Sequence, residues 1–472
     1  MEMEAAAEHF GALSLLPASV AIILAFITRN TVFSLAVACL VGVLAMGQGL
    51  LGFPNLLKNA LGTTSFSWIL LLELFIGTLI AFFQRTGAVR NFAAFVERRR
   101  LSRVRVQLTA WVMGMFVFFS DYFSPLFVGA TMRELTDRYL VSREKLAYIA
   151  DSTSAPVSVL VPVTGWAVFI AGLLIGMGPV TDAEGAMLAF AYSIPYNFYA
   201  WLAVALVGAI CLKLVPDFGP MRAAERRALE EGKVLRDGAE PLMGEELTDI
   251  EPYSGVRTHL FWNFILPVLI VIGIGVGSFV VIRSALTMEA FLGAAVVAGV
   301  IMRVQGIPFP DIMRTATAGM KGVMPAIIIL AFAYALNELS KDLGTAIYIV
   351  EVTESWLTAA LLPALTFLIA GSIAFSTGTS WGTFAIMMPI AVPLAFGFSG
   401  GELGVVVYAT ISAVAGGGVF GDHCSPLSDT SILASTGAAS DHIDHVKTQI
   451  PYALLAATAA LALYLGVGMA AG

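Results

Sequence analysis

Long apolar segments alternate with short polar loops along almost the whole chain. Stretches that can cross a hydrocarbon core of about 30 Å recur from residue 13 to residue 470. In the first half these segments are 13–28, 31–50, 66–84, 108–131, 145–176 and 185–214. In the second half they are 260–282, 287–303, 323–340, 358–399, 403–436 and 449–470. The pattern predicts an all-α integral membrane protein with the lipid bilayer as its partner.

Two segments in each half differ from a continuous membrane-spanning helix. Segments 108–131 and 358–399 are rich in Ser, Gly and Phe, and we expect each to be a re-entrant helical hairpin. Segments 145–176 and 403–436 contain Pro and clustered polar residues, which predicts helices broken near the membrane midplane. About ten transmembrane helices and two hairpins then account for the chain.

The chain also repeats itself. The stretch from Thr31 matches the stretch from Thr287 at an offset of 256, so that Phe53-Pro54 aligns with Phe309-Pro310. Each half then crosses the membrane five times, and this odd number predicts inverted-topology repeats. The predicted domains are a first repeat at 1–215 with scaffold helices 13–84, a cytoplasmic linker at 216–258, and a second repeat at 259–472 with scaffold helices 260–340.

The positions of basic residues predict the orientation. When the Arg-rich loop 85–105 is placed in the cytoplasm, 23 of the 26 Lys and Arg residues lie inside. Both termini are then non-cytoplasmic, in a multi-pass protein of the cell membrane. The polar linker contains a short amphipathic stretch at 221–231. The first eight residues lack Lys and Arg, so we expect the first helix to be retained.

Composition supports the membrane prediction and excludes other classes. Hydrophobic residues make up 58% of the 472 residues, charged residues 12%, and mean hydropathy is +0.86. Cys39, Cys211 and Cys424 have no paired spacing, which argues against a disulfide framework or a zinc site. The chain has no phosphate-binding loop, HExxH motif or nucleophile elbow. We expect a transporter driven by ion gradients, with no enzymatic activity, cofactor or nucleic-acid partner.

Four polar clusters at membrane depth carry the candidate chemistry. They are Ser120–Pro125, Asp151–Pro156, Ser376–Trp381 and the Gly-rich run 416–430. Helix breaks free carbonyl oxygens and helix dipole ends, which together with Ser, Thr and Asp oxygens suit Na⁺; a carboxylate substrate at a helix N-terminus is also possible. The candidate ion- or substrate-binding residues are Asp121, Ser124, Asp151, Ser152, Thr153, Ser376, Thr377, Thr379, Ser380, Asp422, His423, Ser425, Asp429 and Thr430.

Carboxylates within the membrane are costly and usually functional. Asp151 and Asp422 occupy matching breaks in the two halves, and we expect Na⁺ to bind in their region. Asp121 and Asp429 can either bind ligand or cap a broken helix. Glu73 lies in the middle of an apolar run, where it can carry protons or pair with Arg or a backbone group.

Residues 441–445 contain a His-x-x-His spacing typical of some metal sites. The segment falls at the predicted cytoplasmic start of the last helix. Capping of that helix is therefore the preferred interpretation.

The runs Phe375–Phe384 and Gly421–Thr430, followed by 441–446, resemble the NhaC-type sodium/proton antiporter family of the ion transporter superfamily. Asp151–Pro156 is similar to that family's signature in the first half. The resemblance implies a scaffold domain that forms a homodimer and a mobile domain that carries the cargo. At the first hairpin the family has an acidic pair and an Asn, whereas this chain has residues 120–124 as Ser-Asp-Tyr-Phe-Ser.

Together these features predict a secondary transporter that exchanges Na⁺ for H⁺ by alternating access at Asp151 and Asp422. The alternative is a Na⁺-coupled transporter or exchanger of an amino acid or small carboxylate. The missing hairpin carboxylate favours this alternative. A channel is disfavoured, because paired hairpins and broken helices suit an occluded site.

Overall fold

The computed structural model describes residues 9–28, 30–88, 91, 102–118, 121–162, 164–242, 250–255, 258–282, 286–354 and 358–471. These residues are nearly all helical and form no β-sheet, apart from two isolated bridges. Ser120, most of the Arg-rich loop 85–105 and part of the linker lie outside the described residues.

The helices of the first half are α1 (Leu16–Thr28), α2 (Thr31–Ala45), α3 (Gly52–Leu61), α4 (Thr64–Arg85), α5 (Arg103–Phe116), α6 (Phe123–Arg138), α7 (Arg143–Ser152), α8 (Ala155–Ser158), α9 (Gly165–Leu174), α10 (Ala183–Ser193) and α11 (Phe198–Cys211). Helix α12 (Gly219–Glu231) follows in the linker. The helices of the second half are α13 (Leu266–Ile282), α14 (Thr287–Val304), α15 (Phe309–Gly322), α16 (Met324–Asp342), α17 (Thr345–Glu354), α18 (Leu362–Thr377), α19 (Ser380–Phe398), α20 (Val405–Cys424), α21 (Asp429–Ala438) and α22 (His442–Ala471).

Helices α3 and α15 are additions to the predicted pattern. Both are amphipathic, and the aligned pairs Phe53-Pro54 and Phe309-Pro310 lie in their first turns. The element order of α1–α4 therefore recurs in α13–α16. That the two halves are inverted relative to one another stays a prediction.

Five described helices are long and apolar enough to cross a membrane: 66–85, 324–342, 380–398, 405–424 and 442–471. A sixth span is formed if α10 and α11 are taken together, although they are bent by 50°. The prediction of one continuous helix over 185–214 is therefore wrong. The bend falls at Pro195 and Asn197, where proline removes a backbone donor and the Asn197 side chain caps the start of α11. The count of about ten spans stays a prediction.

Both predicted hairpins form pairs of consecutive helices. Helices α5 and α6 are 14 and 16 residues long, and α18 and α19 are 16 and 19 residues long. Gly378 joins α18 to α19 with a φ of +71°, a left-handed conformation that glycine adopts without strain. Entry and exit of each hairpin on the same side of the membrane stays a prediction.

Helices α18 and α20 pack with their backbones in close contact. A Cβ atom added to Gly421 would lie 2.1 Å from the carbonyl oxygen of Gly371. A Cβ atom added to Gly417 would lie 2.4 Å from that of Phe367. The glycines that the sequence places before Asp422 thus allow the second hairpin to reach the broken helix α20–α21.

Three apolar clusters organise the packing. One is formed mainly by α1–α4 and α13–α16, the second by α9–α11, α18–α20 and α22, and the third by α5–α7 with parts of α11 and α12. The two helix breaks lie where these clusters meet. At the first break Ala150 packs with the third cluster and Ala155 with the second. At the other break Val419 packs with the second cluster and Leu427 with the first.

The linker holds the starts of two site-bearing helices. Glu225 on α12 accepts hydrogen bonds from Arg103 at 2.6 Å and from the backbone N–H of Ser142 at 2.8 Å. Lys145 on α7 lies 2.7 Å from Asp217 and 3.3 Å from Glu225. Arg236 binds Asp444 near the start of α22 at 2.7 Å, and this contact raises the pKa of the Arg236 guanidinium. The linker therefore connects α7 and α22 through ion pairs.

Candidate functional site

Each of the two breaks interrupts a buried helix at a proline-containing motif. Helix α7 ends at Ser152, and α8 begins at Ala155 with Pro156 in its first turn. Helix α20 ends at Cys424, and α21 begins at Asp429 after a connection that contains Pro426. Proline cannot continue a helical hydrogen-bond pattern, so both breaks follow from the local sequence.

Asp151 lies at the end of α7 and is 1% exposed. Its Oδ2 atom accepts hydrogen bonds from Ser431 at 2.9 Å and from the amide of Gln449 at 2.6 Å. Nε2 of His445 lies 3.4 Å from the same oxygen. Three partners from α21 and α22 thus converge on one carboxylate oxygen.

Asp422 lies near the end of α20 and is also 1% exposed. Its Oδ2 atom accepts hydrogen bonds from the hydroxyls of Ser380 at 2.9 Å and Thr430 at 3.3 Å. Ser380 is the first residue of α19, so the tip of the second hairpin is bound directly to this carboxylate.

The first turn of α21 joins the two carboxylates. The adjacent residues Thr430 and Ser431 donate to Asp422 and Asp151, respectively. The positive end of the α21 dipole favours negative charge at this position. The second oxygens, Oδ1 of Asp151 and Oδ1 of Asp422, are buried and have no hydrogen-bond partner among the described residues. The site therefore presents two free carboxylate oxygens near several hydroxyls.

His423 connects α20 to α7 and extends the network to one further helix, α11. Its Nε2 lies 3.0 Å from the Ser152 hydroxyl, and its Nδ1 lies 2.8 Å from the Tyr199 hydroxyl. The amide of Gln449 also donates to the carbonyl of His423. Gln449 thus contacts both breaks.

Asp429 belongs to a second centre. Its Oδ2 accepts a hydrogen bond of 3.0 Å from the hydroxyl of Tyr122, and it lines a cavity of about 620 Å³. Thr377 and Thr379, on either side of Gly378, line the same cavity. The predicted hairpin-tip residues are therefore divided, with Ser380 at Asp422 and these threonines at the cavity.

Other predicted site residues make local or separate contacts. The hydroxyls of Thr153 and Ser425 donate to nearby backbone carbonyls, those of Ile149 and Phe375. Ser124 is buried within 3.4 Å of the Gly114 carbonyl, and Ser376 is half-buried. Asp121 is 4% exposed, and its Oδ2 lacks a partner within the described part of the chain.

The region of the His-x-x-His spacing caps a helix, and one of its histidines also reaches the site. Oδ1 of Asp441 accepts the backbone N–H of Asp444 at 3.0 Å, as a capping residue does. His442 lies 2.9 Å from the carbonyl of Pro426, whereas His445 contacts Asp151. Among the described residues, no three His, Cys, Asp or Glu side chains form a metal-binding group.

Glu73 is completely buried in α4. Neither carboxylate oxygen has a hydrogen-bond partner among the described residues. Of the two alternatives for Glu73, pairing with Arg or a backbone group is therefore not seen in the described part of the chain, and proton carrying stays a prediction.

Sequence reasoning did not select Ser431, His445, Gln449 or Tyr199 as binding residues. All four are buried and contact a predicted site residue. Ser431 adjoins the predicted Thr430, and this neighbour was the only local signal. The other three lie on helices whose packing brings them to the breaks.

Comparison with known proteins gives a consistent family. A model described as the Na⁺/H⁺ antiporter family matches residues 163–469. An uncharacterized protein of Haemophilus influenzae is 34% identical over 96% of this chain and 90% of its own length. A protein of Halobacterium salinarum named arginine/ornithine antiporter is 34% identical over 31% of this chain and 29% of its own. A second Haemophilus influenzae protein, named an uncharacterized Na⁺/H⁺ antiporter, is 27% identical over 41% of this chain and 40% of its own.

Proposed function

This chain belongs to the Na⁺/H⁺ antiporter family, and we propose that it exchanges Na⁺ for H⁺ across the cell membrane by alternating access. It is a multi-pass membrane protein and a secondary transporter rather than an enzyme. The observation that carries the proposal is the pair of buried carboxylates at the two breaks, each with one oxygen unpartnered among the described residues.

The donor set suits Na⁺. Hard cations bind oxygen ligands, and helix breaks near the midplane supply carboxylates, hydroxyls and freed carbonyls. Asp151 and Asp422 would supply the free Oδ1 atoms. The hydroxyls of Ser380, Thr430 and Ser431, which donate to the Oδ2 atoms, would supply further oxygen ligands.

Exchange follows from the cost of buried charge. An empty, ionised carboxylate pair is expensive to move through an apolar barrier, whereas Na⁺-bound and protonated forms are less so. The two carboxylates therefore carry either Na⁺ or protons in each half-cycle, and the empty charged state does not cross.

Two cavities support alternating access. The 620 Å³ cavity includes Tyr334, in the middle of α16, and Lys341, near the end of that helix. A second cavity of about 270 Å³ includes Pro325 and Ile328, at the start of α16. Leu427 lines the first cavity and His442 lines the second, and His442 contacts the carbonyl of Pro426. The break between α20 and α21 therefore contacts the linings of both cavities, which supports a barrier at this position.

The mechanism includes three proposals about the architecture of the protein: its repeats, its orientation and its dimer. The two halves are inverted repeats, both termini are non-cytoplasmic, and the scaffold helices of two chains form a homodimer. Movement of the hairpins and broken helices against that scaffold would expose the carboxylates alternately through the two cavities.

The test uses purified protein in liposomes that contain a pH-sensitive dye. An imposed Na⁺ gradient, with no organic solute present, should drive proton movement in the wild type. Asp151→Asn and Asp422→Asn should each abolish this movement. Asp237→Asn is the matched control, because that side chain is 81% exposed in the linker. Proton movement that persists in both site variants would refute the carboxylate mechanism.

A second function, Na⁺-coupled transport or exchange of an amino acid or small carboxylate, is favoured by one observation. The 620 Å³ cavity beside Asp429 is far larger than a single Na⁺ needs. The relative named arginine/ornithine antiporter supports this class of cargo for the family.

A further inference from the structure

The 620 Å³ cavity has the size of a site for a small organic molecule. Ligand pockets for such molecules span about 300–1,000 Å³. Helices α4 and α16 form one wall, through Trp68 and Tyr334, and the hairpin and broken-helix residues Tyr122, Trp381 and Asp429 form another. The cavity therefore lies between the scaffold helices and the elements that carry the ion site.

Aromatic rings surround this space in ordered pairs. Trp68 and Tyr122 pack edge to face with centroids 5.6 Å apart. Phe169 and Trp381 pack similarly at 4.9 Å. With Tyr334, five half-buried aromatic side chains line the cavity. Aromatic faces attract organic cations within about 6 Å of the ring centre.

The charges of the lining residues point in the same direction. Asp429 is the carboxylate among them, and it is 9% exposed. Lys341 is the lining cation, but it lies 2.7 Å from Glu338 and its side chain is 55% exposed. The charge of Lys341 at the exposed mouth of the cavity is thus neutralised by Glu338, while the interior holds the carboxylate of Asp429. An anionic solute would meet Asp429 without a buried cation to offset the repulsion.

We propose that this cavity binds a small alkylammonium solute, of the size of lysine or putrescine, with its ammonium group between Asp429 and the aromatic rings. The proposal rests on the second function given above and selects an amine over a simple carboxylate. Both charge and shape carry it: the carboxylate supplies the counter-ion, and the rings supply faces that tolerate a desolvated cation.

The cavity and the ion site share structural elements. Asp429 is followed by Thr430, whose hydroxyl donates to Asp422. Helix α19 starts with Ser380, which also donates to Asp422, while Thr379 lines the cavity. A solute that draws Asp429 toward it would therefore alter the groups around Asp422. Binding of the amine is expected to depend on Na⁺.

The experiment measures equilibrium binding of tritiated L-lysine to the purified full chain in detergent, with and without Na⁺. Unlabelled putrescine and succinate serve as competitors. We expect lysine to bind with an affinity that changes at least tenfold with Na⁺, and succinate not to compete. If putrescine competes with lysine, an amine alone is sufficient for binding. If lysine binds but putrescine does not compete, the amino-acid group is needed as well. Both results support the ammonium site.

Variants connect the binding to the cavity. Asp429→Asn and Trp381→Phe should each weaken lysine binding at least tenfold. Asp237→Asn and Trp262→Phe are the matched controls, since both residues are exposed and distant in the chain. Size-exclusion profiles establish that each variant is folded. If Asp429→Asn does not fold, Trp381→Phe and Tyr334→Leu carry the test, because leucine removes the aromatic face at position 334.

The outcome separates this proposal from Na⁺/H⁺ exchange. Absence of lysine binding, competition by succinate, or binding unchanged in the folded cavity variants would overturn the ammonium site. Na⁺-driven proton movement without lysine would leave ion exchange standing in each of these cases. Lysine binding in a protein without such proton movement would instead overturn ion exchange alone.

Discussion

The amide nitrogen of Gln449 lies 2.6 Å from Oδ2 of Asp151, which joins the long final helix α22 to the break after α7. The same amide also donates to the carbonyl of His423 at the other break. One neutral side chain thus bridges the two breaks through hydrogen bonds. Its position makes it a ligand-orienting residue that has no charge of its own.

Replacement of Gln449 by Ala should weaken Na⁺ binding. Hydrogen bonds to charged groups contribute about 1.5–3 kcal/mol, so the half-saturating Na⁺ concentration should rise about tenfold or more. The measurement is Na⁺-dependent proton flux in liposomes at several Na⁺ concentrations. Gln305→Ala is the control, because Gln305 forms an amide pair with Asn263 at 2.8 Å, beside Phe264 of the first apolar cluster. Equal effects of the two substitutions would argue against a special role for Gln449.

Replacement of Glu73 by Met should stabilise the protein. Met has a similar volume, and the change removes a buried carboxylate without hydrogen-bond partners among the described residues. The thermal midpoint in detergent should rise by about 2 °C or more, with exchange unchanged. Loss of Na⁺-driven proton movement in a stable Glu73→Met protein would instead identify Glu73 as a proton carrier.

Replacement of Glu225 by Ala should destabilise the linker contacts. The substitution leaves Arg103 without its 2.6 Å partner and deprives the buried Lys145 of one of two carboxylates. Breaking a buried ion pair costs about 3–5 kcal/mol, so the thermal midpoint should fall by about 5 °C or more. Glu231→Ala is the control, since Glu231 is 58% exposed and 3.9 Å from Lys233. Equal thermal midpoints of the two variants would show that the linker connects the two halves without stabilising them.

Replacement of Gly421 by Ala should prevent correct packing of the second hairpin. The new methyl group would lie 2.1 Å from the Gly371 carbonyl oxygen, and a backbone atom cannot move away cheaply. Monodisperse protein on size exclusion should be lost or greatly reduced. Gly466→Ala on α22 is the control, because a Cβ atom there meets nothing within 4 Å. Normal behaviour of Gly421→Ala would mean that α18 and α20 are further apart than described.

The sequence located the two breaks because their causes are local. Pro156 and Pro426 cannot continue a helix, and Gly378 provides the left-handed turn between α18 and α19. Asp151 and Asp422 could be selected for the same reason, since a carboxylate beside a break in an apolar segment stands out without any structural knowledge. The bend at Pro195 and Asn197 has a local cause of the same kind, and it was missed because the apolar segments on both sides were taken together as one helix.

The partners of those carboxylates could not be found in this way. Asp151 is separated from Ser431 by 280 residues and from Gln449 by 298. A serine or glutamine in a helix carries no sign of which distant group it will contact. The division of the predicted residues between the hydrogen-bond network at Asp422 and the cavity beside Asp429 was equally hidden, although the two carboxylates are seven positions apart.

The sequence by itself determined that this is a helical membrane protein with polar breaks at membrane depth, because lipid requires long apolar segments and penalises any unpaired backbone or charge within them. Only the tertiary structure decided which side chains complete each carboxylate and which line the cavity. Those contacts depend on how helices from both halves pack, and packing direction is set by close approaches such as Gly421 against Gly371, which a hydropathy pattern does not contain.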